Sequence, residues 1–174
     1  VRRTITSIAA IAAVAALGLV ATWYLRFVFA GPTPEAYISR IGPSARFVRA
    51  GELVFEGERF TCGGHPTVLH SSFPDYGAAF FGFIVLNPDR FALLPPSVKR
   101  FAYAHECGHQ YVGYSELDAD CYAVKSGLAH GWLNQTSLED VCAFFLKAKG
   151  TALHLAGPQR CAAIRTCYRE RSGM

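Results

Sequence analysis

The chain of 174 residues predicts a small α+β fold: a short sheet first, then a helix carrying a His/Glu cluster with further helices after it, and one hydrophobic helix ahead of both. Three observations carry this. Residues 5–25 hold no charge. Short apolar–polar alternations are confined to the first half of the remainder. Helix start signals succeed one another through the second half.

Residues 5–25 are long enough, at 1.5 Å per helical residue, to cross a bilayer core of about 30 Å. Arg2 and Arg3 precede the run, and Trp23 and Tyr24 stand where interfacial anchors stand. The run reads as a membrane anchor, or as a signal peptide cleaved near Val28-Phe29-Ala30, with Arg26 against cleavage there. A buried core helix is the third reading. Either of the first two exports the rest of the chain. Residues 31–46 are rich in Pro, Gly and Ser and read as a linker, which leaves 47–174 as the folded domain.

Within that domain, residues 46–55 and 58–62 alternate, with Gly57 as a turn, and 82–86 form a compact apolar run stopped by Asn87-Pro88. Residues 64–81 read as an ordered loop. Ser97 is the expected cap of a helix to about Tyr111. Ser115 with Asp118 opens one ending near Gly127, and Thr136 with Glu139 one ending near Gly150. Pro158 opens a last helix through about Arg169.

The net charge of +4 excludes less than it first suggests. Three of the 17 cationic residues, Arg2, Arg3 and Arg26, flank the apolar run, leaving 14 against 13 acidic ones in the rest. A nucleic-acid surface is therefore not expected. Charged residues make up only 17%, so a cluster of them is conspicuous.

That cluster is His105-Glu106-Cys107-Gly108-His109 followed by Glu116, Asp118 and Asp120. His105 and His109 are i and i+4 on one helix face, so two imidazoles can reach one ion. Glu106 beside them can take a proton from water. Glu116 is the expected third ligand, with Asp120 as the alternative, and two His plus one carboxylate leave a position open. Asp120, four residues after Glu116, can receive the second ring N–H of His105 or His109. Gly113 suits the turn between the two helices. One Zn²⁺ is the expected cofactor.

Six cysteines, Cys62, Cys107, Cys121, Cys142, Cys161 and Cys167, allow up to three disulfides in an oxidising compartment. Cys161 and Cys167 fall on different faces of one helix and so have other partners. A staple between Cys107 and Cys121 joins the two halves of the cluster. His65 and His70 are spaced for loop hydrogen bonding and His130 for a loop or for packing. Phe80, Phe81 and Phe83 read as core, with an apolar subsite as the other reading.

The stretch 105–120 resembles the HExxH zinc metallopeptidases of the gluzincin type, in which HExxH is followed by a Glu-x-x-Ala-Asp helix, here Glu116 to Asp120. In pattern it is similar to membrane-associated members and to small bacterial ones. The resemblance implies a zincin-like fold, zinc on His105, His109 and Glu116, Glu106 as base and proton shuttle, and Asp120 orienting a ligand histidine. It implies a peptide or protein substrate. It also casts 82–88 as the strand whose edge pairs with an extended peptide. Residues 154–165 resemble a His-Pro-x-x-x-x-Arg segment with the proline displaced to Pro158. His154 is thereby a candidate for oxyanion stabilisation, and Arg160 for packing or charge near the site. Tyr103, Tyr111 and Tyr114 are weaker oxyanion candidates, Tyr103 reading as core. The competing expectations are a non-catalytic exported domain stabilised by zinc, and a metal-dependent amidase acting on a cell-wall substrate.

Overall fold

A computed structural model describes residues 31–151 and 154–173. The apolar run at 5–25 lies outside them. Among the described residues no helix is long and apolar enough to cross a membrane.

Residues 31–46 contain helix α1 (Pro34–Ile41) and a short 3-10 turn (Gly42–Ser44), and from Thr33 on they belong to the unit Thr33–Met174. Thr33 caps α1, its hydroxyl accepting from the Ala36 N–H. A four-stranded mixed sheet comes next, built from β1 (Ala45–Val48), β4 (Thr67–His70), β5 (Gly77–Phe80) and β6 (Phe83–Leu86) in the order β1-β4-β6-β5. Between β1 and β4 sits the hairpin β2 (Leu53–Phe55) and β3 (Glu58–Phe60). Its turn residues Glu56 and Gly57 both have positive φ, as a two-residue hairpin turn requires.

Two strands lie where a loop is expected. β4 is buried at every position, so it shows no alternation, and β5 is Gly-Ala-Ala-Phe, without a β-branched residue. β6 lies between β4 and β5, so it has no free edge; the edge strands are β1 and, beside β6, β5.

The sheet separates two apolar layers. Val68, Phe83 and Val85 face α1, where Tyr37 packs edge-on against Phe80 and Phe83. Leu69, Ile84 and Leu86 face the main core with Val98, Phe101 and Tyr103. Of the three phenylalanines read as core, Phe83 is buried and Phe80 half-buried, but Phe81 is 75% exposed at the β5–β6 turn. His70 is buried, with its Nδ1 2.8 Å from the Tyr37 hydroxyl. His65 Nδ1 meets Gly82 O at 3.3 Å, and His130 Nδ1 meets Ser126 O at 2.8 Å.

After the short α2 (Pro88–Ala92) come α3 (Pro96–Val112), α4 (Glu116–Ala129), α5 (Gln135–Phe145) and α6 (Gly157–Ser172). Ser115 caps α4 as expected, accepting from the Asp118 N–H. Two expected caps move. α3 begins with Pro96 in its first turn, and Ser97 Oγ donates to Asp140 instead. α5 is capped by Asn134, whose side chain accepts from the Ser137 N–H while Ser137 Oγ accepts from the Asn134 N–H. α5 stops at Phe145 rather than near Gly150. There Gly157 crosses so closely that a Cβ on it would sit 1.9 Å from Phe145 O.

All six cysteines are paired, as Cys62–Cys107, Cys121–Cys167 and Cys142–Cys161. The expected Cys107–Cys121 staple is absent. α3 and α4 meet through Gly108 and Ala119, which turns Cys107 towards the segment after β3 and Cys121 towards α6. Three disulfides are the chemistry of an oxidising, extracytoplasmic setting.

Candidate metal centre

α3 presents His105 and His109 one above the other, their rings 4.8 Å apart and edge to face. Glycine at 108 brings α4 close: a Cβ there would lie 3.1 Å from both Cα and O of Ala119. The turn at Gly113, with φ of 75°, reverses the chain so that Glu116 and Asp120 face back onto α3.

The tautomers of both imidazoles are set by their partners. His105 Nδ1 lies 2.8 Å from Asp120 Oδ1, and His109 Nδ1 lies 2.7 Å from the Gly113 carbonyl. A carbonyl only accepts, and a carboxylate beside a guanidinium is held ionised, so both Nδ1 atoms carry hydrogen. Arg160 Nη2 stands 3.3 Å from His105 Nδ1, but a guanidinium has no lone pair, so it cannot replace Asp120 as acceptor. In the neutral rings both Nε2 lone pairs then point at one another across 3.2 Å.

Glu116 completes the triangle. Its Oε2 is 3.1 Å from His105 Nε2 and its Oε1 3.6 Å from His109 Nε2. Oε2 is buried and has no partner at hydrogen-bond angles, although charged groups surround it. Facing lone pairs and an orphaned carboxylate oxygen are costly unless a cation lies among them, either a proton on His105 or a metal ion. Ligands at the zinc distance of about 2.0–2.1 Å in a tetrahedron stand about 3.3 Å apart, and here one ligand atom from each of the three residues lies within 4.8 Å of the other two. His105, His109 and Glu116 could hold a metal ion.

Electrostatics support this assembly. Burial favours the neutral His105 ring, but the hydrogen bond to Asp120 and the adjacent Glu116 carboxylate outweigh it and raise its pKa to about 9 without metal. Burial works against the charged form of Asp120 too. The His105 ring and the Arg160 guanidinium, at 2.8 Å from Oδ2 and 2.6 Å from Oδ1, win and hold its pKa low. Arg160 in turn lies over the Phe145 ring, 4.2 Å from its centroid, which shields the pair from water.

Glu106 is accessible only in part, and dense surroundings decide its behaviour. Burial pushes its carboxyl up, against the pull of His105, His109 and the Ala79 N–H. It therefore sits nearer neutrality than a surface glutamate.

His105, Glu106, His109, Glu116 and Arg160 line one cleft of about 720 Å³ together with Tyr76, Gly77, Ala79, Phe144, Phe145 and Leu155, and the Tyr76 and Phe144 rings meet edge-on, 6.0 Å apart. His154 also lines it, with Nε2 2.9 Å from Glu116 Oε2. Tyr114 lines the mouth. Tyr111 stacks on Tyr122, and Tyr103 is buried with its hydroxyl 3.2 Å from Thr67 Oγ1, so neither reaches the ligands. Asp118 is exposed on the far side of α4. A second groove of about 580 Å³, by Pro95, Arg100 and Trp132, contains none of the ligand residues.

Three participants escape a reading of the sequence. β5 supplies the Ala79 N–H, Phe145 covers Arg160, and Gln110 touches the β5–β6 turn. Only Gln110 carries a signal, being four residues after Glu106 on the same helix face. No family model, curated protein or solved structure matches this chain.

Proposed function

We propose that this chain is an exported zinc-dependent peptidase. The observation that carries the reading is the convergence of two Nε2 lone pairs and one orphaned carboxylate oxygen beside a glutamate of raised pKa. Two nitrogens and one oxygen are a donor set that suits zinc, and three protein ligands are the catalytic rather than the structural count. Zinc held there supplies Lewis acidity, acidifying a water and polarising a carbonyl.

The chain's own residues do the rest. Glu106 takes a proton from the attacking water and delivers it to the departing amine. Asp120 holds the His105 tautomer, and Arg160 holds Asp120. His154, on the far side of Glu116, is placed to donate to an oxygen that gains charge as the carbonyl is attacked. An extended chain would lie in the cleft along the edge of β5, beside Glu106. Export, by an anchor at residues 5–25 or by their cleavage as a signal, accords with three disulfides.

The test uses the purified full chain. It is expected to bind one zinc and to hydrolyse fluorogenic casein. Glu106→Gln should keep the zinc and lose at least about 100-fold in rate. His105→Ala should lose the zinc. Hydrolysis undiminished in Glu106→Gln overturns the mechanism. Full zinc occupancy with neither casein nor any peptide cleaved favours a non-catalytic domain, and release of amide products from cell-wall fragments alone favours an amidase.

A further inference from the structure

The side chain of Gln110 makes three contacts with the β5–β6 turn. Its Nε2 donates to Phe80 O at 2.8 Å and to Phe83 O at 3.3 Å, and its Oε1 accepts from the Gly82 N–H at 2.9 Å. The two carbonyls and the one N–H allow a single orientation of the amide. Gln110 comes directly after His109 and stands one helical turn beyond Glu106, which β5 approaches so closely that a Cβ on Gly77 would lie 3.6 Å from Glu106 Cγ. One face of α3 thus meets the β5–β6 hairpin at two heights.

The register shows what this achieves. Phe80 pairs with Phe83 across a two-residue turn, and Gly82 there has φ of 87°. Hydrogen-bonded pairs alternate in an antiparallel ladder, so Phe80 and Ala78 bond inward to β6 while Ala79 and Gly77 turn their backbone groups outward. The outward groups of an edge strand have no neighbour strand to hold them at a set distance from α3. The sequence of β5 offers little packing to do so, with Ala78 and Ala79 both small.

We infer that Gln110 is a positioning residue that clamps the β5–β6 hairpin to α3 and so sets the distance between the free edge of β5 and Glu106. The inference rests on the peptidase reading for its effect on rate, but not for the clamp itself. A displacement of about 1 Å in such a site can cost about 100-fold.

The test is Gln110→Met in the full chain, which keeps the volume and removes all three hydrogen bonds. Thr67→Val, which removes a buried hydrogen bond to Tyr103 elsewhere, serves as a control of comparable stability loss. In Gln110→Met, amide exchange across 77–83 should accelerate at least about 10-fold while zinc stoichiometry stays at one. The casein rate at 25 °C should fall about 10- to 100-fold. Thr67→Val should show neither change. Should Gln110→Met fail to fold, Gln110→Glu replaces it, keeping the acceptor for Gly82 and setting a carboxylate against two carbonyls.

Hairpin exchange equal to the parent's overturns the clamp. Faster exchange with an unchanged casein rate overturns the positioning role. If the parent itself cleaves no casein while fully loaded with zinc, the peptidase reading falls. The exchange measurement then still decides the clamp.

Discussion

His105 and Asp120 bind each other through one short hydrogen bond, and that bond makes the metal-free chain sensitive to pH. The His105 pKa rises from 6.5 to about 9 on folding, so the folded state binds the proton more tightly than the unfolded one. The resulting stabilisation is complete below about 6.5 and is lost as pH rises through about 9. Asp120 runs the other way. Its lowered pKa gives stability above the ordinary value of 3.8 that is lost as pH falls through the folded value. The Tm of the chelator-treated protein should therefore fall between pH 6.5 and 9, and Asp120→Asn should flatten that limb. A limb of equal slope in Asp120→Asn counts against the pairing. Zinc must displace the same proton, so its affinity weakens as pH drops below about 9. At this scale the sequence was most informative. His105, Glu106, His109, Glu116 and Asp120 announce themselves by spacing, because helix periodicity alone puts i and i+4 on one face. Arg160 and His154 could not be placed that way, since a loop and a helix start lie between them and the ligands, and they entered by resemblance alone.

Among the elements, α3 and α4 carry the site, and their separation is governed by Gly108. A Cβ there would stand 3.1 Å from Ala119 Cα, Ala119 O and Tyr122 Cβ, tight against all three. Gly108→Val pushes α4 away and takes Glu116 and Asp120 with it. We expect a loss of about 1–3 kcal/mol in stability by chemical denaturation, and a loss of zinc affinity larger than any seen for an equally destabilising variant in the β2–β3 hairpin. Equal affinities would show that the helix contact does not set the ligand spacing. The elements were less legible than the residues. Helix α4 and the β2–β3 turn announce themselves through Ser115 and Gly57. β5 does not, because Gly, Ala and Ala say nothing of a strand whose value is its backbone. Ser97 and Thr136 look like caps until the chain is seen to enter one helix through Pro95-Pro96 and Asn134 to cap the other, since cap preference is local and the direction from which the chain arrives is not. β6 reads as a strand correctly, but which edge stays open is a property of strand order.

At the scale of the molecule, the disulfides share a pattern. Cys107 comes after Glu106, Cys121 after Asp120 and Cys161 after Arg160, and each is bonded to a different part of the fold. The cysteine count and the disulfide chemistry it allows were readable from the chain, but the pairing was not, because it depends on how α3 and α4 turn about Gly108. Each crosslink is worth about 2–4 kcal/mol in domains of this kind. Paired Cys→Ser variants, made one bridge at a time, should lose zinc affinity as well as stability. Cys121→Ser with Cys167→Ser should be among the affected pairs, measured by competition with a chromophoric chelator. Unchanged affinity in all three pairs would separate the crosslinks from the site. On the proposed reading, the bridges would act as an interlock on maturation. A reduced chain would lack the three ties beside Glu106, Asp120 and Arg160, so the cluster of His105, His109 and Glu116 would be held in place only after oxidation.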